Sequence, residues 1–316
     1  PMTFYMGSRA SYGSCWNNVM AATDFVDSYE WKDGRAFDWN EVIPGFNEND
    51  AVKKETFYAT LNEGLNKVAT YPAAKDKLLE MYNKRDPRMM ASIIMPYTTY
   101  KGWYSNAPMD TEYVITEKSG QTNEKNGFIR VNGNYEMYLW RKFVAEYDMN
   151  GAINNREDTP INFPLIRYAD VLLMYAECLI ETGGDKQLAA DLINQVRYRA
   201  FVTTSLTDSY AKYRKFNLKE SDRVTEDTFN AKYKVKASDD LRAAVRHERR
   251  IELAGEGLRF YDLIRWGTFV STMQKFGKTD EGKYSGAGTL VTDKTYPYPI
   301  PQSEIDYVGG ALTQND

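Results

Sequence analysis

Histidine and cysteine are almost missing from this 316-residue chain: there is one histidine, His247, and two cysteines, Cys15 and Cys178. A zinc centre needs about three or four His, Cys or carboxylate ligands at short spacings. No such grouping occurs, so no metal site is expected. Cofactor fingerprints are missing as well: no GxGxxG follows a strand, and there is neither a Walker loop nor a nucleophile-elbow serine. No cofactor is expected. Nor is there a run of about 20 apolar residues, the length of a membrane-spanning helix; the stretch 169–180 is interrupted by Asp170 and Glu177. Positive charge is not in excess either. Lys plus Arg number 40 against 44 Asp plus Glu, a net charge of −4. Duplex binding by counterion release needs a basic surface, so no nucleic-acid partner is expected.

What the chain does have is aromatic: 24 Tyr, 14 Phe and 6 Trp make up 14% of it. That excess exceeds what a core needs, so some rings are expected on a surface where they meet a ligand. The remaining composition, 27% charged and 42% hydrophobic, is that of an ordinary globular chain. The length fits either two units of ~150 residues or one continuous core.

Residues 1–50 are rich in turns and rings, with Lys32-Asp33-Gly34-Arg35 and Pro44-Gly45 as turn signals. Helices are expected near residues 50–70 and 73–84, the second stopped because Pro87 biases Asp86 away from helix. Residues 91–160 alternate weakly, and Phe128-Ile129-Arg130-Val131 and Tyr138-Leu139-Trp140 read as short strands. The helical signal strengthens after Pro160. Pro164 suits a first turn, and Leu165, Ala169, Leu172, Leu173, Ala176, Leu179 and Ile180 recur at helical spacing as one buried face. Cys178 sits in that stretch and reads as a small core residue. Gly183-Gly184 ends this helix, and Asp185 caps the next, whose inner face is Leu188, Leu192 and Val196. The pair forms a helical hairpin of tetratricopeptide type. A third helix is expected from Ser238 to Ala254, with Asp239 and Asp240 at its positive end, and a fourth over 258–276. The expected fold class is therefore mostly α: tetratricopeptide-like hairpins in residues 161–316, a loop-rich half in 1–160, and a few short strands.

The third helix carries the most suggestive chemistry. Glu248 and Glu252 lie about one turn and ~6 Å apart, inside an apolar stripe with Leu241 and Val245. That separation resembles a retaining glycosidase pair. The competing reading is ion pairing, since an unpaired buried charge is costly and Arg167, Arg246, Arg249, Arg250, Arg259 and Arg265 are candidates to neutralise them. Ion pairing is preferred, because glycosidase carboxylates project from separate segments across an open cleft. His247 reads as a half-exposed helix residue without a catalytic role. Trp39, Trp140 and Trp266 read as core.

Several segments together resemble a known family. Arg167-Tyr168-Ala169-Asp170-Val171-Leu172-Leu173-Met174-Tyr175-Ala176-Glu177, followed by Asn194-Gln195-Val196-Arg197, is similar to the signature hairpin of the SusD/RagB family. Arg246-His247-Glu248-Arg249-Arg250-Ile251-Glu252-Leu253, continuing through Glu256-Gly257 to Asp262-Leu263 and Arg265-Trp266, resembles its second signature. Pro299-Ile300-Pro301-Gln302-Ser303-Glu304-Ile305, Lys32-Asp33-Gly34 and Arg85-Asp86-Pro87-Arg88 fit further motifs in the expected order. The resemblance implies a surface lipoprotein of the outer membrane of Bacteroidota-type bacteria. Such a protein is a binding protein and not an enzyme, and it captures glycan, or in one branch peptide, for a SusC-like TonB-dependent transporter. It also implies a longer protein whose signal peptide, lipid-bearing cysteine and N-terminal helical block precede these residues.

The family motifs are scaffold. Sugar recognition needs flat rings beside amides or carboxylates. Tyr97, Tyr100, Trp103, Tyr104 and Asn106, interleaved with Lys101 and set among Pro96, Gly102 and Pro108, read as an exposed aromatic loop. Tyr12 and Trp16, with Asn17, form a second candidate cluster. The net charge favours a neutral polysaccharide over a strongly anionic one. Peptide binding on the same fold, a hydrolase using Glu248 and Glu252, and a pure helical interaction scaffold are the alternatives.

Overall fold

The computed structural model describes residues 5–7, 15, 19–104, 107–116, 128–132, 137–146, 161–202, 224–276, 291, 300–309 and 311–314. Contacts divide the chain into two compact units, residues 1–254 and 255–316.

Strand β1 (Ala21–Ala22) leads into helix α1 (Thr23–Asp27), and a 3-10 turn at Trp39–Glu41 is capped by the Asp38 carboxylate. Helix α2 (Asp50–Phe57) starts at the Asn49 cap but stops far short of residue 70. The chain turns instead into a hairpin, β2 (Thr60–Leu61) and β3 (Val68–Thr70). Its turn is organised by Asn62, whose side-chain oxygen accepts from the N–H groups of Asn66 and Lys67, with Leu65 left-handed at φ 54°. A side chain that satisfies its own turn outcompetes the helix here. Helices α3 (Lys75–Asn83) and α4 (Pro87–Ser92) follow. Pro87 does more than end the first: it occupies the opening turn of the second, while Asp86 accepts from the Arg88 N–H.

Strands β4 (Ile93–Ile94), β5 (Thr99–Tyr104), β6 (Ala107–Thr116), β7 (Phe128–Asn132) and β8 (Met137–Trp140) complete the sheets. β8 lies between β1 and β4, antiparallel to both. β6 pairs antiparallel with β5 and parallel with β7. The two expected strands around 128 and 138 are thus present.

The helical hairpin is α5 (Tyr168–Glu181) and α6 (Lys186–Val202). Gly183 at φ 68° and the Gly184 N–H bound to the Leu179 carbonyl close its first helix. Asp185 accepts from the N–H groups of Gln187 and Leu188, as the cap reading requires. α5 begins at Tyr168 and not at Pro164, so Leu165 and Ile166 precede it. Cys178, expected in the core, is exposed, because the buried arc of α5 runs through Leu172, Leu173 and Ala176. After α7 (Glu226–Thr228) and a π turn at Phe229–Tyr233 comes α8 (Leu241–Glu252), capped by Asp240 accepting from Ala243. Val245 of α8 packs with Leu172 and Leu173 of α5 and with Leu192, Ile193 and Val196 of α6. In the second unit the expected single helix is two, α9 (Leu258–Arg265) and α10 (Phe269–Phe276), separated where Gly267 takes φ 66°. α11 (Gln302–Tyr307) follows. Among the described residues the fold is mostly α with short strands.

Much of the aromatic excess is structural. Tyr29, Trp31, Trp39, Phe46, Phe57, Tyr82, Tyr138 and Trp140 are buried in the large core of the first unit. Edge-to-face pairs such as Phe37 with Trp39, at 5.1 Å, use the ring quadrupoles. Trp39 and Trp140 are core as expected, whereas Trp266 is half-buried. The same core holds Arg85, only 1% exposed, whose guanidinium donates to the carbonyls of Val26, Asp27 and Tyr29 and lies 3.4 Å from the Phe37 ring centroid. Burial pushes the Arg85 pKa down to about 10.

Beside it, burial raises Asp27 to about 7, against the opposing pull of Arg85 and of the Trp39 Nε1–H bond at 3.0 Å. A folded-state pKa above the ordinary value of 3.8 makes this group's contribution full below about pH 4. That contribution is lost as pH rises through about 7. Asp27→Asn retains an acceptor for Trp39 and cannot ionise. It is expected to flatten the decline in urea stability between pH 5 and 8; an unchanged pH slope would refute this account.

Candidate functional site

Residues 97–104 are not an open loop. The run Thr99–Tyr104 is strand β5, registered on β6 with Thr99 opposite Glu112, Lys101 opposite Asp110 and Trp103 opposite Pro108. Side chains alternate along a strand, and the alternation sorts the predicted rings. Tyr100 is 2% exposed and Gly102 is buried, so that face looks into the core. Tyr97 is buried too, left-handed at φ 65°, with its hydroxyl donating to the Phe57 carbonyl and near that of Ile115. A non-glycine residue at such a φ costs on the order of 1–3 kcal/mol and needs its surroundings to hold it. Backbone bonds from Tyr97 to Tyr113 and from Tyr113 to Thr98 supply that hold. Reading Tyr97 and Tyr100 as ligand platforms is therefore corrected: their faces are already covered by protein. Periodicity two went unrecognised because Pro96, Gly102 and Pro108 resemble loop punctuation.

Trp103 is the predicted ring on the other face, half-buried and aligned with Thr99 and Lys101. The Lys101 ammonium bonds Asp110 at 2.5 Å, and its backbone N–H donates to Glu146, which is itself paired with buried Arg141 at 2.6 Å. Further along this face, Glu112 accepts from the Tyr71 hydroxyl at 2.7 Å. Lys75 lies 3.5 Å from Glu112 and 3.3 Å from the Tyr71 ring centroid. Burial together with the Glu112 bond pushes the Tyr71 phenol up to about 12, so it stays protonated as a donor. The result is a strip that runs from Trp103 through Lys101, Asp110 and Glu112 to Tyr71, with carboxylates and ammonium groups between the two rings. Tyr71 was missed from sequence; its only signal was an aromatic beside Pro72. The Tyr104 side chain, Asn106, Tyr12, Trp16 and Asn17 lie outside the described residues.

Glu248 and Glu252 have a different setting. Glu248 is fully buried and accepts from Arg88 Nη1 at 2.5 Å and Arg197 Nη1 at 3.0 Å. Glu252 accepts from Arg167 at 3.0 Å, Arg199 at 2.6 Å and Arg88 at 3.3 Å. Arg88 is also held by Asp86, and Arg197 by Glu30 at 2.8 Å and the Tyr233 carbonyl. Burial acts to raise the Glu252 carboxyl, but Arg88, Arg199 and Arg167 outweigh it and hold it below the ordinary carboxylate range. Asp86 is lowered likewise, with Arg88 and Arg197 outweighing burial. The acid of a glycosidase pair must keep its proton near neutral pH. Glu252 does the opposite, and each oxygen of Glu248 is occupied by an arginine. The geometry assigns both to ion pairing, as the preferred reading had it.

The arginines that do this are mostly not those expected. Of the six candidates, Arg167 reaches Glu252, while Arg249 pairs with Asp170 and Arg250 with Asp24. Arg265 pairs with Asp262 within the second unit. Arg88 and Arg197 were visible only as motif residues. His247 is partly exposed, its Nε2 3.4 Å from Glu30, and burial lowers its pKa so that it is neutral near pH 7.

Fold and site together define a helical-hairpin scaffold, cross-braced by buried arginines, that carries a small mixed sheet with an aromatic and charged face. The family model for the SusD family matches residues 2–316, and the chain belongs to that family. It is 33% identical over 186 residues to SusD-like protein P25 of Formosa agariphila, covering 59% of this chain and 28% of that protein. It is 28% identical over 182 residues to SusD-like protein P38 of the same organism, covering 56% and 31%. The match thus spans less than a third of the length of these relatives. A SusD-like protein from Bacteroides fragilis is 21% identical, with a TM-score of 0.45 over 84% of this chain and 39% of that one. A SusD superfamily protein from Bacteroides vulgatus is 20% identical, with a TM-score of 0.40 over 90% and 52%.

Glu248→Gln is expected to cost about 3–5 kcal/mol of unfolding free energy, because it leaves Arg88 and Arg197 buried with half a partner. Urea melts check this, and a loss under about 1 kcal/mol would show the cluster to be relaxed. Because Asp86 and Glu252 titrate below their ordinary values, their stabilisation is complete above about pH 5. It is expected to fall away only as pH drops through their depressed pKa values, read as an acid unfolding limb.

Proposed function

We propose that this chain is the ligand-binding part of a cell-surface protein that captures glycan and delivers it to a SusC-like TonB-dependent transporter. It sits at the outer membrane through a lipid anchor. The observation that carries the reading is membership of the SusD family across residues 2–316, a family known for binding glycans at the cell surface. Among the described residues no helix is long and apolar enough to cross a membrane.

The sheet face is the proposed contact. Trp103 supplies the ring for the apolar face of a pyranose, and Tyr71, Lys101, Asp110 and Glu112 supply polar groups beside it. Carboxylates bonded to ammonium groups present near-neutral, hydrogen-bonding surface, which suits sugar hydroxyls. The net charge of −4 again favours a neutral polymer.

The test is native gel retardation of the full-length protein by neutral and anionic polysaccharides, with Trp103→Ala alongside. A stacked ring contributes on the order of 1 kcal/mol beyond its burial, so the variant is expected to bind at least about fivefold more weakly. Unchanged retardation of Trp103→Ala would remove the sheet face from the reading. Retardation by no polymer, with binding to peptides instead, would replace glycan by peptide.

A further inference from the structure

The outer edge of β5 is closed at Thr99 and Lys101 by one buried ion pair. Along a strand, the N–H and C=O groups of every second residue point to the same side. Those of Thr99 and Lys101 meet side chains instead of another strand. Glu146 Oε2 accepts from the Lys101 N–H at 3.1 Å, and Arg141 Nη2 lies 3.5 Å from the Thr99 carbonyl. Arg141 Nη1 donates to Glu146 Oε1 at 2.6 Å, which joins the two. One residue of a parallel neighbour would donate to the Thr99 carbonyl and accept from the Lys101 N–H. The ion pair reproduces both contacts.

The place of the pair is set by the scaffold. The N–H groups of Arg141 and Lys142 both donate to the Ser92 carbonyl, at 2.8 and 3.0 Å, and Ser92 is the last residue of α4. α4 also carries Arg88, which is bonded to Glu248 of α8. After Arg141 the chain turns, with the Val144 N–H on the Arg141 carbonyl and Phe143 left-handed at φ 63°. A non-glycine residue in that region is strained and persists only where its surroundings hold it. The turn brings Glu146 back onto Arg141, and the two are 5% and 1% exposed. Buried ion pairs are often replaceable by apolar side chains of similar volume without loss of stability. What this pair adds is direction: it fixes the β5 backbone at Thr99 and Lys101.

We propose that Glu146, oriented by Arg141, is a positioning residue of the face read above as the glycan contact, a role that rests on that reading. It touches no sugar. It sets where Lys101 and Trp103 stand along β6, and so carries the register of the helical scaffold into the binding face.

Two double variants of the full-length protein test this. Arg141→Met with Glu146→Leu removes the pair and its backbone bonds. Arg141→Met with Glu146→Gln removes the charges but keeps an acceptor for the Lys101 N–H. Both are expected to hold the urea midpoint within about 10%. In the first, the Lys101 amide, read from overlapping peptides across residues 99–104, is expected to exchange at least about tenfold faster, while residues 107–116 keep their protection. Its retardation by xyloglucan, laminarin or soluble starch is expected to weaken at least about fivefold, like that of Trp103→Ala. Adding Trp103→Ala to it is expected to cost nothing more. The second variant is expected to restore both exchange and binding. Unchanged Lys101 exchange in the first variant would overturn the proposal, whether or not a glycan binds. So would full binding by that variant where Trp103→Ala binds weakly, or a second variant as impaired as the first. A midpoint lost in both, with residues 107–116 deprotected alike, would make the pair a general stabiliser and overturn it too. If Trp103→Ala alone binds as well as the unaltered protein, the face itself falls, and the role of Glu146 with it.

Discussion

A single buried carboxylate, Glu248, is the group whose neutralisation the architecture has to guarantee. Taking a carboxylate out of water costs several kcal/mol unless opposite charge and hydrogen bonds replace the solvent. Here the replacement comes from two directions, Arg88 on α4 and Arg197 on α6, each fixed by a further carboxylate, Asp86 and Glu30. One turn along α8, Glu252 repeats the arrangement with Arg167 and Arg199. Any displacement of α4 or α6 relative to α8 would leave charge unpaired in a low-dielectric interior. The loop-rich part and the helical hairpin of the first unit are thereby held in one register by charge, in addition to apolar packing.

That constraint also shapes what is left for ligand recognition. Burying cations and carboxylates requires rings and carbonyls around them, and a large share of the aromatic residues is used in this way. Trp31 and Phe37 flank the Arg85 guanidinium, Phe201 lies near those of Arg88 and Arg197, and Tyr29 offers its carbonyl to Arg85. The rings that remain on the sheet face, Trp103 and Tyr71, are joined by a row of charged pairs and not by apolar residues. A face of that character is polar, which suits the hydroxyl-rich ligand proposed for it.

Legibility in the sequence followed the range of the interaction. Where a local pattern decides, the reading survived: the α5–α6 hairpin with its Gly183-Gly184 stop and Asp185 cap, the helix expected from near Ser238, which begins at Leu241 on the Asp240 cap, and the strands at 128 and 138. Where two local patterns compete, it failed. Residues 58–70 carry helix formers, yet Asn62 and Leu65 fold a hairpin; residues 97–104 carry turn residues, yet cross-strand pairing makes a strand. Cys178 was misplaced because α5 is apolar on more than one side, and periodicity alone does not say which side is covered.

The sequence by itself determined the helical scaffold, the family through its ordered motifs, and the assignment of Glu248 and Glu252 to a buried stripe. Helical spacing and turn chemistry act within about one or two turns of chain, so they are written locally. Only the tertiary structure decided which arginines neutralise that stripe, since Arg88 and Glu248 are 160 residues apart. It likewise decided that Tyr97 and Tyr100 face the core while Trp103 and Tyr71 share an outer face. Burial and charge pairing are properties of what surrounds a residue in space, and its neighbours along the chain do not specify them.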